Sequence, residues 1–321
     1  MAKIIYKTDP DANKSDQDLL NEILDQYQEF EEALEDVMEG LINPLIVRGP
    51  PGVGKSESVE IAAKQKGIVS KDWILSEWKE RSDNTGSRYP YELDKEILVK
   101  GALMRGADYS NWALNVDFYA NSSEGMICID DNDTILKCPI ALAILMKATE
   151  QKIKSQRVIS YPKAASTHEL QLRGIPSSYT VNTPIVILSN IDFDLHIRHG
   201  KMKEEETGRP MPAHIARWEA LMQSRGKYID LQMNSPRRVR IWCEYLIQKT
   251  HMLTRSAWLK EKGGRALTAR ESQTVMDWVR HNQTHLKTRL DLRTYNKVAL
   301  KLIKKQKQWE KSAQVDFLRV V

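Results

Sequence analysis

The sequence predicts an α/β protein, a parallel-sheet core followed by an α-helical domain. Three observations predict it. Short apolar runs alternate with helical periodicities from about residue 41 to 233, as in strands joined by crossover helices. One such run, Pro184-Ile185-Val186-Ile187-Leu188, is almost wholly aliphatic, as strands covered on both faces of a parallel sheet are. From residue 235 onward every periodic stretch has helical spacing. The expected domains are an acidic amphipathic helix within residues 1–40, an α/β core over 41–233 and a basic helical domain over 234–321.

In chain order, residues 15–39 carry Leu19, Leu20, Ile23, Leu24, Tyr27, Phe30, Leu34, Val37 and Met38 at three- and four-residue spacings. Ser15, with Asp18 three positions on, is a helix-start signal. Residues 44–47 are a strand-like run that breaks into a glycine-rich turn at Gly49, and 56–66 read as a helix. Residues 68–96 have no clean period and are expected to be an insert. A strand is expected at 97–103, a helix at 110–119, a buried strand at 126–129 and a helix at 139–152. Strands at 157–161 and 184–188 follow, then a helix at 213–224 and a strand at 227–231. The charged stretch 198–209, with Glu204-Glu205-Glu206 beside Lys201 and Lys203, reads as a solvated loop. The last helices are expected at 236–261, 269–281 and 292–313, divided by the Gly263-Gly264 turn and a polar loop near 283–290.

Composition bounds the class. A chain of 321 residues with 41% hydrophobic content can bury a sizeable core, unlike a disordered protein. No apolar run approaches the roughly 18 to 20 residues of a membrane span, and the first residues lack a signal peptide's apolar stretch. A cytoplasmic protein without a membrane partner is expected. Cys128, Cys138 and Cys243 form neither an even disulfide set nor a C-x-x-C metal pair. His196, His199 and His214 share no face with a suitable carboxylate set, so a metal site there is not expected. The tryptophans read as packing residues. Charge is uneven: residues 1–40 hold 12 acids and 3 lysines, whereas residues 237–321 hold 20 Lys and Arg against 7 acids. A basic end of this kind either binds a polyanion such as DNA or forms a solvated face.

The strongest motif is Gly49-Pro50-Pro51-Gly52-Val53-Gly54-Lys55-Ser56, which fits G-x-x-x-x-G-K-[ST] between an expected strand and an expected helix. In such a loop, backbone N–H groups turn inward on a polyphosphate, the lysine reaches the β and γ phosphates, and the hydroxyl ligates Mg²⁺. The expected cofactor-binding set is these eight residues with Glu57, and the expected cofactors are ATP and Mg²⁺. Downstream, Met126-Ile127-Cys128-Ile129 runs into two aspartates. Asp130 is expected in the metal shell with Ser56, and Asp131 as the group that polarises the attacking water.

Together these residues resemble the AAA+ ATPase superfamily. The resemblance implies a P-loop core with an α-helical lid and the nucleotide between them. It makes Asn190, at the end of Ile185-Val186-Ile187-Leu188-Ser189, the sensor-1 residue that orients the lytic water. Arg225, ahead of Tyr228-Ile229-Asp230-Leu231, is similar to the finger that reaches a neighbouring subunit's γ-phosphate, with Arg217 as its rival. Arg293, opening the last long helix, resembles the sensor-2 arginine, with Arg237 and Arg238 as rivals. The family commonly has Asp-Glu where this chain has Asp130-Asp131. At finer grain, Ile129 to Asp133, Leu142 to Ala148, Gln156 to Tyr161 and Ser189 to Phe193 look like AAA+ ATPases encoded by bacteriophages, and the resemblance spans about residues 44–313. It implies Mg²⁺-dependent ATP hydrolysis in a homo-oligomeric ring or arc, in a host cytoplasm. The client is either DNA during replication or genome handling, or a protein gripped by pore-loop aromatics such as Tyr109 and Trp112. A small-molecule kinase is the third class, and the finger and sensor arginines weigh against it.

Overall fold

The computed structural model describes residues 11–70, 102–105, 114–115, 118–119, 126–150, 157–160, 176 and 178–319. Most of the expected insert at 68–96, and Tyr109 and Trp112, lie outside them. Two compact units divide the chain. One joins Gln28–Gly49 to Lys55–Asp230; the other joins Met1–Tyr27, Pro50–Gly54 and Leu231–Val321. The division falls within the first helix, α1 (Asp16–Met38).

The first unit is α/β. Its main sheet contains β1 (Leu45–Arg48), β2 (Val69–Ser70), β3 (Ala102–Arg105), β4 (Met126–Asp130), β7 (Ile185–Ser189) and β8 (Lys227–Asp230), ordered β2-β3-β4-β7-β1-β8. Every pairing is parallel, as expected. All five residues of β7 are buried, which is what an aliphatic run between two paired neighbours requires. Among the described residues the unit also holds α1 from Gln28 on and helices α2 (Lys55–Gln65), α3 (Asp133–Lys137), α4 (Pro139–Ala148), α5 (Phe193–Thr207) and α6 (Ala213–Ser224). Ile46, Ile127, Ile129, Ile185 and Ile187 from the strands form one cluster with Leu142, Leu145, Trp218 and Leu221 from the helices. Each such side chain contributes about 1.5 to 3 kcal/mol by leaving water. The Trp218 indole N–H has a partner in the Leu136 carbonyl at 2.6 Å, so this ring is buried at no polar cost.

Four local readings are corrected. The stretch 198–209 is not a loop: it lies largely in α5, which starts where the Asp192 carboxylate accepts the Leu195 N–H at 3.0 Å and ends at Gly208 in the left-handed region. Lysine, glutamate and methionine are good helix formers, so a solvated charged run is as compatible with an exposed helix as with a loop. The run at 157–161 does not join the main sheet. Val158–Ser160 is β5, antiparallel to β6 (Ser178–Thr180) in a separate pair, and its exposed-buried-exposed pattern is that of a half-solvated strand. The helices expected over 236–261 and 292–313 are each two helices, as described next.

The second unit is helical among its described residues. It comprises the start of α1 with α7 (Pro236–Thr250), α8 (Ala257–Glu261), α9 (Ala269–Asn282), α10 (Leu292–Lys305) and α11 (Trp309–Phe317). His251, at φ 54°, ends α7 in the left-handed region, and Ser256 caps α8 through the Leu259 N–H. Thr268 and Glu271 form a reciprocal capping box on α9. Ser15 and Asp18 do the same at the head of α1. Trp278 and Trp309 are buried with ring centroids 6.3 Å apart, in keeping with their reading as packing residues.

The acidic N-terminal segment, expected as an element by itself, has its first part in this unit. Asp11 receives a bidentate pair from Arg238 at 2.7 and 2.8 Å, Asp16 pairs with Arg237 and Arg240 at 2.6 Å each, and Glu22 receives Arg238 at 2.7 Å. Asp11 and Arg238 are both almost fully buried. The Arg238 guanidinium holds the Asp11 carboxyl below the usual carboxylate range.

Candidate functional site

Parallel strands present their carboxyl ends together, and β1 lies where the order reverses: its sheet neighbours are β7 and β8, while β2, next in sequence, is at the far edge. Such a reversal leaves a crevice outside the strand ends. In register, Arg48 lies opposite Ser189 and Asp230, and Asp130 opposite Leu188. The ends of β1, β4 and β7 therefore converge, and the residues just past them are Gly49, Asp131 and Asn190.

Lys55 and Ser56 open α2 at this place. The Lys55 side chain is buried, its ammonium donating to the Gly49 carbonyl and, at 3.2 Å, to the Asn190 side-chain carbonyl. The Ser56 hydroxyl donates to Asp130 Oδ2 at 2.6 Å. Four residues from three widely separated parts of the sequence thus meet, and all four were candidates from sequence. Asp131 is exposed at φ 50°, its backbone N–H on the Leu188 carbonyl at 3.0 Å. A non-glycine residue in the left-handed region beside a strand end is a local strain that aspartate tolerates better than most. Glu57 is exposed in the first turn of α2.

A further residue at these strand ends escaped the sequence reading. Arg48 pairs with Asp230 at 2.6 Å and with Asp192 at 2.7 Å, joining the ends of β1 and β8 to the start of α5. Burial works against its charge, but the two carboxylates outweigh burial and raise its pKa. Its only signal in sequence was a cation directly before the glycine loop.

The loop residues 50–54 belong to the helical unit. Gly52 and Gly54 have φ of 72° and 98°, conformations that favour glycine. The Gly52 carbonyl accepts the Leu292 N–H at 3.3 Å, at the head of α10. The Val53 carbonyl accepts the Tyr27 hydroxyl at 2.6 Å and the Trp242 indole N–H at 2.8 Å. In a trans peptide the N–H points opposite to the carbonyl. The N–H groups of Val53 and Gly54 therefore both face away from these helices, as a pair of adjacent donors of the kind that forms an anion nest.

The candidate arginines differ in surroundings. Arg293 is exposed in the first turn of α10, next to the Leu292–Gly52 contact. Its rivals Arg237 and Arg238 are committed to the acidic segment. Arg225 caps α6 and donates to the Met146 carbonyl, while Arg217 donates to the Pro139 carbonyl. Both finger candidates thus lie against α4 of their own chain, with only part of each side chain exposed.

As to a cation, no group of three or more His, Cys, Asp or Glu is gathered among the described residues. A hydroxyl beside one carboxylate, as at Ser56 and Asp130, suits Mg²⁺, which takes few protein oxygens and keeps water and substrate phosphates for the rest. No described helix is long and apolar enough to cross a membrane. Compared with known proteins, the chain matches no family model and no curated protein.

Proposed function

We propose that this chain is a Mg²⁺-dependent ATPase of the AAA+ type that acts as an oligomer on a macromolecular client, in phage DNA replication or genome handling. The observation that carries the reading is the meeting of Lys55 and Ser56 with Asp130 and Asn190 at adjacent strand ends. The Val53 and Gly54 N–H groups are donors suited to phosphate oxygens, and within the α/β unit the Lys55 ammonium, kept in place by Asn190, is a cation suited to them. Ser56 and Asp130 would hold Mg²⁺, which neutralises charge developing on the phosphates. Asp131, one residue past the metal ligand and at φ 50°, is the group that polarises water. Arg293 is the sensor-2 candidate that the contact at Gly52 favours. Arg225 is the candidate finger. To act across a subunit boundary it exchanges the Met146 carbonyl for a neighbour's phosphate.

The test is paired. Lys55→Ala is expected to abolish ATP binding, while Asp131→Asn keeps binding and lowers hydrolysis by about 10²- to 10⁴-fold. Fluorescent-nucleotide titration and phosphate release on both variants decide it, and wild-type hydrolysis by Asp131→Asn would overturn the catalytic assignment. A protein client is the second reading. The pairing of Arg237, Arg238 and Arg240 with the chain's own acids favours it, since those charges are not offered to DNA. Stimulation of the ATPase by single-stranded DNA, duplex DNA or unfolded protein separates the two.

A further inference from the structure

The Val53 carbonyl is held by two side chains from opposite ends of the sequence. Tyr27 comes from α1 and Trp242 from α7. Their rings stack at 3.9 Å with an interplanar angle of 24°, and both are 4% exposed. No phosphate-loop motif asks for either residue. The peptide they hold is one that needs holding: it joins Val53 to Gly54, whose φ of 98° and missing Cβ leave the Val53–Gly54 plane free to turn over. A flip would point the carbonyl oxygen where the N–H had been, replacing a donor by an acceptor in front of any anion. Two hydrogen bonds on the carbonyl oppose that flip. Burial raises the Tyr27 pKa well above its ordinary value, so the phenol stays protonated and remains a donor at any working pH.

Tyr27 is in turn seated by the segment before it. Asp11, Asp16 and Glu22 fasten that segment to Arg237, Arg238 and Arg240 at the head of α7, while Trp242 lies two residues further along the same helix. One set of ion pairs therefore fixes both donors.

We infer that Tyr27 and Trp242 are positioning residues for the phosphate loop, and that the acidic segment 11–27 is a strap that seats Tyr27 on the Val53 carbonyl. This inference rests on the reading of residues 49–56 as a nucleotide-binding loop. It assigns the N-terminal segment to nucleotide affinity through the loop that it holds.

The experiment uses the full chain with Mg²⁺ and a fluorescent ATP analogue, and the variants Tyr27→Phe, Trp242→Phe and the double substitution, each of which keeps an aromatic ring. Each single change is expected to weaken binding roughly three- to tenfold, and the double change about ten- to a hundredfold, on the usual worth of one buried neutral hydrogen bond. KM is expected to rise in step while kcat at saturating ATP stays within about twofold. Amide hydrogen exchange supplies a readout that general loosening would not mimic: ATP is expected to protect the Val53 and Gly54 amides in the wild type and less so in the variants, with exchange in β7 unchanged. Thermal melting confirms that each variant is folded, and either single variant suffices if the double one is not. Wild-type affinity and amide protection in the folded variants would overturn the strap while leaving the nucleotide reading standing. Absence of ATP binding by the wild type would instead remove the nucleotide reading on which the strap rests.

Discussion

Gly52 shows how far a single residue is constrained by what lies around it. Its φ of 72° already disfavours a side chain, and a Cβ built there would lie 2.7 Å from the Asp291 Cβ and 3.0 Å from Asp291 Oδ2. Asp291 has little room to give, because its other carboxylate oxygen caps α10 through the Thr294 N–H at 2.8 Å and the Thr294 hydroxyl at 3.0 Å. Gly40 is the natural comparison, with φ 76° and nothing within 4 Å of its would-be Cβ. Gly40→Ala is therefore expected to cost only the backbone strain, about 1 kcal/mol. Gly52→Ala is expected to cost about 2 to 4 kcal/mol, strain plus overpacking. Urea unfolding of both variants checks the ordering, and equal costs would mean that Asp291 moves aside freely. The motif in the sequence already marked Gly52, but not this reason for it. A phosphate loop needs glycine for its own backbone path, whereas the Asp291 contact is set by a residue 239 positions later in the chain.

Among elements, the join between α1 and α7 carries the clearest pH dependence. Arg238 lowers the Asp11 pKa in the folded protein, and hydrogen bonds from Arg240 and Arg237 lower that of Asp16 even though burial opposes them. A carboxyl whose folded pKa lies below its unfolded value stabilises the fold fully above the unfolded value, near 3.9 for aspartate. That contribution is lost as pH falls through the folded value. Asp11→Asn, which leaves the buried Arg238 without its bidentate partner, is expected to destabilise the helical unit by about 3 kcal/mol at pH 7. The difference from wild type should shrink below about pH 4 as Asp11 itself becomes neutral. Urea midpoints measured from pH 7 down to pH 2 test both parts; a constant difference over the whole range would contradict the ionic origin. These elements also show what the sequence could and could not convey. β1, β4, β7, β8 and the helices α1, α2, α4, α6 and α9 were legible because their apolar spacing is strong and their caps are local, whereas β2 (Val69–Ser70) falls in the stretch read as an insert and β3 meets the strand expected at 97–103 only at Ala102 and Leu103. β6 was not: three residues, Ser178, Tyr179 and Thr180, are too short a run to display alternation, and only the pairing with β5 makes them a strand. The Tyr27 and Trp242 contacts with Val53 were equally hidden, since they span 26 and 189 positions and either residue alone is an ordinary apolar position on a helix.

At the scale of the whole chain, the opposite charges of the two ends acquire a partial explanation. Residues 1–40 and 237–321 are acidic and basic in part because Asp11, Asp16 and Glu22 meet Arg237, Arg238 and Arg240. Within the basic end, Arg265 is paired with Glu271, Arg280 with Glu244, and Lys301 with Asp316. Lys301, Lys304 and Lys305 recur on one helix of this basic end, and the Asp316 pair takes Lys301 out of the cations offered to a polyanion. What α10 offers to solvent is Arg293, Lys297, Lys304 and Lys305, all exposed. Spacings of 4 and 11 residues place Arg293, Lys297 and Lys304 along one side of the helix. If this ridge tracks a nucleic-acid backbone, each cation at a phosphate releases counterions, and affinity falls with salt in proportion to the number of contacts. Replacing the ridge lysines Lys297 and Lys304, together with the exposed Lys305 beside the ridge, by Ala is then expected to weaken DNA binding regardless of base sequence and to reduce the log-log salt slope by about 2, or up to about 3 if Lys305 also reaches a phosphate. Lys301→Ala is expected to leave the slope unchanged, because a lysine already held by a carboxylate neutralises no phosphate and so releases none of the counterions condensed on the DNA. Binding isotherms for duplex and single-stranded DNA at several salt concentrations measure both quantities. An unchanged slope in the triple variant would assign the ridge to solvent and shift the weight of the functional reading to a protein client, whereas a slope that responds to Lys301→Ala as strongly as to the exposed lysines would mean that the Asp316 pair opens when DNA binds.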